Sequence, residues 1–437
     1  MYKIVSRLLI YGDMPKQEIL MELSDIVRKM DDKSQTKEEL ITRVFTQIKH
    51  LLQVATDYGF DENLWHNYLT FLLITSENPF SITCEKVGAN DGSVNYFAKG
   101  DFKAFKELFE YDFGALEEYL GVDCFGRISD YHAIGKKEMM YNKNVSEKVQ
   151  ALSRKLERAG DEQEFFNCVT GFYKDFGVGM FGLNKAFRIL SGENGTVKFC
   201  AINNMDTVML DDLIGYELQK KKLVDNTRAF VEGKKANNVL LYGDSGTGKS
   251  TSIKAIVNEF YNQGLRMIEI YKHQFKDLSA VIASVKNRNY KFIIYMDDLS
   301  FEEFEVEYKF LKAVIEGGVE TRPDNILIYA TSNRRHLIKE NWSDREDMEH
   351  GDSMHRSDTM EEKLSLFNRF GVTINYSKPS QKEYFHIVEM LAEKAGLALS
   401  AEELDLEANK WELSHGGISG RTAQQFINYL LGQQKNF

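Results

Sequence analysis

The spacing of apolar and polar positions changes character near residue 205. Before that point, apolar residues recur with helical periodicity. Leu40, Ile41, Val44, Phe45, Ile48, Leu51 and Leu52 fall three and four residues apart, which is the stripe of an amphipathic helix. Thr36 with Glu39 opens that helix as a capping box, and Gly59 closes it. A second apolar helix is predicted over Leu64–Ile74, ended by Asn78-Pro79, and residues 101–120 and 145–159 carry further amphipathic stripes. Residues 1–200 therefore read as mostly helical, with these stripes forming the core.

Beyond 205 the pattern becomes short apolar runs separated by helix-compatible segments. Val239–Tyr242, Met267–Tyr271, Phe292–Asp298, Asn325–Asn333 and Val372–Tyr376 read as five strands. Continuous apolar runs suit parallel strands buried on both faces, and strands alternating with helices imply an α/β fold. Helices are expected at 249–262, 274–286 and 304–316, with a helical tail from Gln381 to about Leu431. Three capping boxes (Thr359 with Glu362, Ser380 with Glu383, Ser400 with Glu403) mark helix starts. Residues 341–358 are charged and aperiodic, so they read as a loop, with His350 and His355 solvated in it.

The strand at 239–242 leads into Gly243-Asp244-Ser245-Gly246-Thr247-Gly248-Lys249-Ser250-Thr251. This is G-x-x-x-x-G-K-S between a strand and a helix, the context a phosphate-binding loop requires. The glycines let successive N–H groups point into one small volume, and the following helix adds its positive dipole end. Lys249 can reach β- and γ-phosphates, and the Ser250 hydroxyl suits Mg²⁺, a cation that prefers oxygen ligands. Phe292–Met296 runs into Asp297-Asp298. A carboxylate at the C-terminal end of a central parallel strand faces the ligand crevice, so Asp297 is the expected Mg²⁺ partner, and Asp298 is placed to orient or deprotonate water. Asn333, at the end of the strand from Asn325, can bond a γ-phosphate or the attacking water, and Arg334-Arg335 add positive charge beside it. Arg421 lies in the first turn of the last helix, where a cation opposes the helix dipole; a bound anion accounts for it. Gly177–Gly182 also fits G-x-G-x-x-G, but it follows no strand and reads as a turn between helices.

Composition narrows the picture. The chain has 437 residues, 43% hydrophobic and 28% charged, with four prolines and a formal net charge of −11. The length suits about three domains, and the acidic balance argues against non-specific nucleic-acid binding. Cys84, Cys124, Cys168 and Cys200 are too widely spaced for a CxxC site and read as buried free thiols in a reducing compartment. The start, Met1–Arg7, lacks a signal-peptide core, and no apolar run approaches the roughly 20 residues that span a bilayer. A cytoplasmic protein with no membrane association is expected.

Taken in order, these parts resemble the AAA+ ATPases, and most closely a bacterial P-loop family of unassigned role. Asp212-Leu213-Ile214-Gly215 is similar to the segment beside the adenine. Gly243–Ser250 matches Walker A and Phe292–Asp298 Walker B, and Asn333 falls where sensor 1 falls. Arg369, in Asn368-Arg369-Phe370-Gly371, resembles the arginine finger, and Arg421 resembles sensor 2 on a helical lid. The resemblance implies a helical N-terminal domain over 1–204, a three-layer αβα core with a five-stranded parallel sheet over 205–379, and a lid over 380–437. It implies an ATP hydrolase with ATP and Mg²⁺ as cofactors, Ile214, Gly215 and Gly243–Thr251 as binding residues, and Lys249, Asp297, Asp298, Asn333, Arg369 and Arg421 as catalytic ones. Ser250 and Asp297 would hold the metal, and Arg369 would act on the nucleotide of a neighbouring subunit in a homo-oligomer. Walker B ends Asp-Asp here, where most AAA+ hydrolases carry Asp-Glu, so the water is activated by Asp298 or by Glu302 or Glu303 one turn on. The leading expectation is an ATPase that remodels a protein or nucleoprotein client. The alternatives are an ATP-dependent binding switch or loader with slow hydrolysis, and a small-molecule kinase.

Overall fold

The apolar runs after residue 205 form the centre of a parallel sheet. The computed structural model describes residues 1–134, 142–192, 196–203, 205–301, 307–316, 323–333, 367–397 and 399–433. Strands β1 (Ala186–Ser191), β2 (Val197–Ala201), β3 (Val239–Gly243), β4 (Leu265–Glu269), β5 (Lys291–Met296), β6 (Ile326–Ser332) and β7 (Val372–Tyr376) stand in the order β2-β1-β4-β5-β6-β3-β7. The pairs β1–β4, β4–β5, β5–β6, β6–β3 and β3–β7 are parallel. Every residue of β6 is buried, as are five of the six in β5, which is why both read as unbroken apolar runs.

The sheet has seven strands, two more than the five expected. The additions, β1 and β2, lie in the stretch that reads as helical. β1 joins the sheet by pairing Ala186 with Met267 and Arg188 with Glu269, partners about eighty residues further on. The five expected strands keep the order β4-β5-β6-β3-β7, with β6 between the strand carrying the phosphate loop and the strand carrying Asp297.

Contacts divide the chain into two units, Met1–Asn184 with Ala201–Asn204, and Lys185–Cys200 with Met205–Phe437. The first is helical: α1 (Glu18–Asp31), α2 (Lys37–Tyr58), α3 (Leu64–Thr75), α4 (Pro79–Val87), α5 (Ser93–Phe109), α6 (Lys143–Glu157) and α7 (Glu162–Phe176), with shorter helices between them. The Thr36–Glu39 capping box forms, and Gly59 ends α2 in the left-handed conformation. Leu64 through Thr75 are almost wholly buried, so α3 is the central helix of this unit. The amphipathic stretch from residue 101 begins earlier than expected, at Ser93, and breaks after Phe109. Gly177 ends α7, and Gly179–Leu183 is a single short helical turn, so the second glycine-rich motif is a connection.

Polar anchors fix the aromatic core. The Tyr173 hydroxyl donates to the Leu73 carbonyl (2.7 Å), so the hydrogen bond between the Tyr11 and Tyr173 hydroxyls (2.8 Å) has Tyr11 as donor. The Asp101 carboxylate, 1% exposed, accepts from the Leu9 and Tyr11 amides at 3.0 and 2.8 Å. Asp101→Ala strands both amides. It is expected to lower stability by about 3 kcal/mol, the scale for losing a charged acceptor beneath buried donors, measured by urea unfolding followed by circular dichroism.

In the second unit α8 (Glu217–Val231), α9 (Lys249–Phe260), α10 (Leu278–Val285) and α11 (Glu307–Glu316) accompany the sheet. The lid is α12 (Gln381–Lys394), α13 (Ala401–Ser414) and α14 (Gly420–Gln433), sharing a core of Tyr384, Val388, Ala408, Ala423, Phe426 and Ile427. Its first two helices open with the capping boxes at Ser380 and Ser400. The predicted helix at 274–286 forms as a 3₁₀ segment, Lys272–Asp277, followed by α10. All four cysteines are free; Cys84 and Cys124 are buried, whereas Cys168 and Cys200 are half-buried. Among the described residues, no helix is long and apolar enough to cross a membrane.

Candidate nucleotide site

Because the core strands are parallel, the C-terminal ends of β3, β5 and β6 open at one edge of the sheet. The strand order brings Thr331 and Asn333, at the end of β6, between the phosphate loop after β3 and Asp297 after β5. The loop needs its glycines for space as well as for conformation. Gly243 has φ 131°, and a Cβ there would stand 2.2 Å from the Tyr376 carbonyl oxygen. A Cβ on Gly246, at φ 77°, would press against Ser419 and Arg421 of the lid.

Lys249 is 6% exposed. Its Nζ donates to the Gly243 and Asp244 carbonyls (2.9 and 2.5 Å) and to Asn333 Oδ1 (3.0 Å). Burial is the main influence on its pKa and lowers it, while Asp244, Asp298 and Asp297 pull it back up. The Asp297 Oδ1 accepts from Ser250 Oγ (2.7 Å), Thr331 Oγ1 (2.6 Å) and the Asp298 amide (3.2 Å). Burial is the largest influence on Asp297 and on its own raises the pKa. The Thr331, Tyr295 and Ser250 hydroxyls and the Asp298 amide together outweigh it and hold the carboxyl below its usual value. Asp298 has φ 48°, its amide donates to Thr331 Oγ1 (2.9 Å), and its Oδ1 accepts from Asn333 Nδ2 (2.8 Å). Asn333 thus bridges Lys249 and Asp298.

These groups floor one end of a cleft of about 1040 Å³, enough for a nucleotide. The cleft continues to an apolar end walled by Leu213, Ile214, Ile387, Leu391 and Ile427. A polar, cation-bearing end joined to an apolar slot matches the chemistry of a triphosphate carrying a flat base. The lid meets the loop directly: the Arg421 amide donates to the Gly246 carbonyl at 3.1 Å. A second link runs through Asp244. Its carboxylate accepts the Lys378 amide at 2.8 Å, inside the four-residue joint, Ser377–Ser380, between β7 and α12.

Of the expected site residues, Ile214, Ser245 through Thr251, Asp297, Asp298, Asn333 and Arg421 line the cleft. Gly243 and Asp244 shape the loop from behind, and Gly215 (φ 80°) turns the chain beside Ile214. Arg369 lies away from them. It precedes Val372, which pairs with Val239, while Gly243 pairs with Tyr376, so it sits at the opposite end of β3, roughly 13 Å of strand away. Glu302, Glu303, Arg334, Arg335, His350, His355 and the helix expected from Thr359 lie outside the described residues. Thr331 and Tyr295, which surround Asp297, carried no signal beyond being the polar members of apolar strands.

The donor set fits Mg²⁺: Ser250, Asp297 and Thr331 offer only oxygen, and the described residues contain no cluster of three or more His, Cys, Asp or Glu. Such a cation is held largely by phosphates and water with one or two protein oxygens.

Residues 183–434 match the family described as protein of unknown function (DUF815). Among solved structures, the chain is similar to a point mutant of RuvB from Thermotoga maritima, with 18% identity and a TM-score of 0.36, over 51% of this chain and 65% of that one. It is similar to the Thermotoga maritima RuvB Holliday junction branch migration motor at 16% identity and a TM-score of 0.32, over 51% and 72%. It is similar to C. elegans PCH-2 at 15% identity and a TM-score of 0.37, over 52% and 65%. The chain therefore spans just under two thirds of the RuvB mutant and of PCH-2. No curated protein matches it.

Proposed function

The chain belongs to the family described as protein of unknown function (DUF815), and on that premise we propose that it is an AAA+ ATPase that binds and hydrolyses Mg-ATP as a homo-oligomer to remodel a protein or nucleoprotein client in the cytoplasm. The observation that carries this reading is the convergence of Lys249, Ser250, Asp297, Asn333 and Arg421 on one cleft whose far end is apolar. The adenine occupies the slot at Ile214, and the loop amides with Lys249 and Arg421 neutralise the phosphates. Ser250 and Asp297 hold the cation, which supplies charge neutralisation on the phosphate oxygens. Asn333 and Asp298 orient the water. Arg369, remote from its own cleft, reaches the nucleotide of the adjoining subunit.

One observation favours a second reading, a binding switch with slow hydrolysis. Asp298 is shorter than glutamate, and its carboxylate is engaged by Asn333 at 2.8 Å, which holds it back from a water. ATP turnover measured across protein concentrations separates the two. A rate per chain that rises with concentration supports the remodelling ATPase; tight ATP binding with negligible turnover at every concentration supports the switch. Phosphate appearing on an added metabolite would indicate a kinase, and a calorimetric titration with Mg-ATP that releases no heat would end both ATPase readings.

Asp298→Asn is expected to lower hydrolysis by roughly 10²–10⁴-fold, the range for a general base, with ATP affinity retained. Unchanged turnover moves the base role to Glu302 or Glu303.

A further inference from the structure

Tyr295 occupies the fifth position of β5, 1% exposed, in a strand whose other side chains at that depth are apolar. Its hydroxyl is fully buried and has no hydrogen-bond partner. Leaving such a group unpaired costs about 1–3 kcal/mol, and folded chains keep few of them. A phenylalanine would fill the same volume without that cost.

The surroundings of the hydroxyl are specific. Alternation along the strand sends Tyr295 and Asp297 to the same face, and Tyr295 pairs in register with Tyr329, two residues before Thr331. The phenol interacts with the side chains of Asp297, Ser250 and Thr331, yet stands in hydrogen-bonding geometry to none of them. The reason lies in the crowding of one atom. Asp297 Oδ1 already takes Ser250 Oγ, Thr331 Oγ1 and the Asp298 amide, and a carboxylate oxygen has about two lone-pair directions. The phenol carries its proton at neutral pH and is a donor.

We propose that Tyr295 is a positioning residue of the metal site: its phenol donates to the Asp297 carboxylate when the metal–nucleotide complex is bound and fixes that carboxylate in its cation-holding orientation. The inference rests on the reading of the cleft as a Mg-nucleotide site. Ser250 and Asp297 would hold the cation, and the phenol would supply one more donor to the Asp297 carboxylate. Side chains that orient a metal ligand in this way contribute about 10–100-fold to metal affinity.

The test separates metal affinity from nucleotide affinity. A non-hydrolysable ATP analogue is titrated calorimetrically into wild type and Tyr295→Phe, once with excess Mn²⁺ and once in EDTA, and the ratio of the two affinities measures the contribution of the metal. That ratio is expected to fall about tenfold or more in Tyr295→Phe, with the EDTA affinity unchanged and the melting temperature no lower than that of wild type. The loss should vanish in an Asp297→Asn background, because the phenol acts through that carboxylate. An unchanged ratio, an equal loss in EDTA, or a further tenfold loss on top of Asp297→Asn would overturn the proposal. If wild type fails to bind the analogue under either condition, the nucleotide reading itself falls, and the proposal with it.

Discussion

Lys249→Ala is expected to weaken Mg-ATP binding by about 10³-fold. The ammonium now rests on the Gly243 and Asp244 carbonyls and on Asn333, acceptors that phosphate oxygens would replace. Two charge-assisted hydrogen bonds to phosphate at about 2 kcal/mol each make about 4 kcal/mol, which at roughly 1.4 kcal/mol per decade is close to a thousandfold. Removing the ammonium also takes away a positive charge that now faces Asp297 and Asp298. Calorimetry on the variant, with circular dichroism to show that the fold persists, checks this. Affinity within threefold of wild type would mean that the loop does not grip a phosphate.

Arg369→Ala is expected to behave in the opposite way, with nucleotide affinity unchanged and turnover reduced by about 10³–10⁵-fold, the range for an arginine finger supplied from outside the site. The expectation comes from its place at the far end of β3 from Gly243, where it cannot serve the cleft of its own chain. Mixing the two inactive variants gives the sharper result. Lys249→Ala chains keep Arg369, and Arg369→Ala chains keep an intact phosphate loop, so mixed assemblies should recover activity that neither shows alone. A mixture as inactive as its parts would remove Arg369 from the mechanism.

The parts of this fold that could be read in advance are those whose cause is local. Strands β3, β5 and β6 announced themselves as apolar runs because most of their residues are buried. The capping boxes at Thr36, Ser380 and Ser400 were visible because a box needs only two residues three apart. The phosphate loop was visible because its glycines, lysine and serine are contiguous. What escaped was set by distant partners. β1 is short, carries Arg188 and Ser191, and becomes a strand because β4 offers an edge about eighty residues later. Thr331 and Tyr295 looked like ordinary members of buried strands, and only the three-dimensional crowding around Asp297 gives their hydroxyls meaning. The ties of Asp244 to Lys378 and of Arg421 to Gly246 involve backbone groups, which leave no trace in residue identity.

The Asp244 contact has a mechanical corollary. A single residue holds the resting lysine through its carbonyl and the elbow of the lid through its carboxylate. The phosphate loop and the chain leading into α12 are therefore tied through one residue. Moving either Lys249 or the Ser377–Ser380 joint would therefore break a hydrogen bond to Asp244.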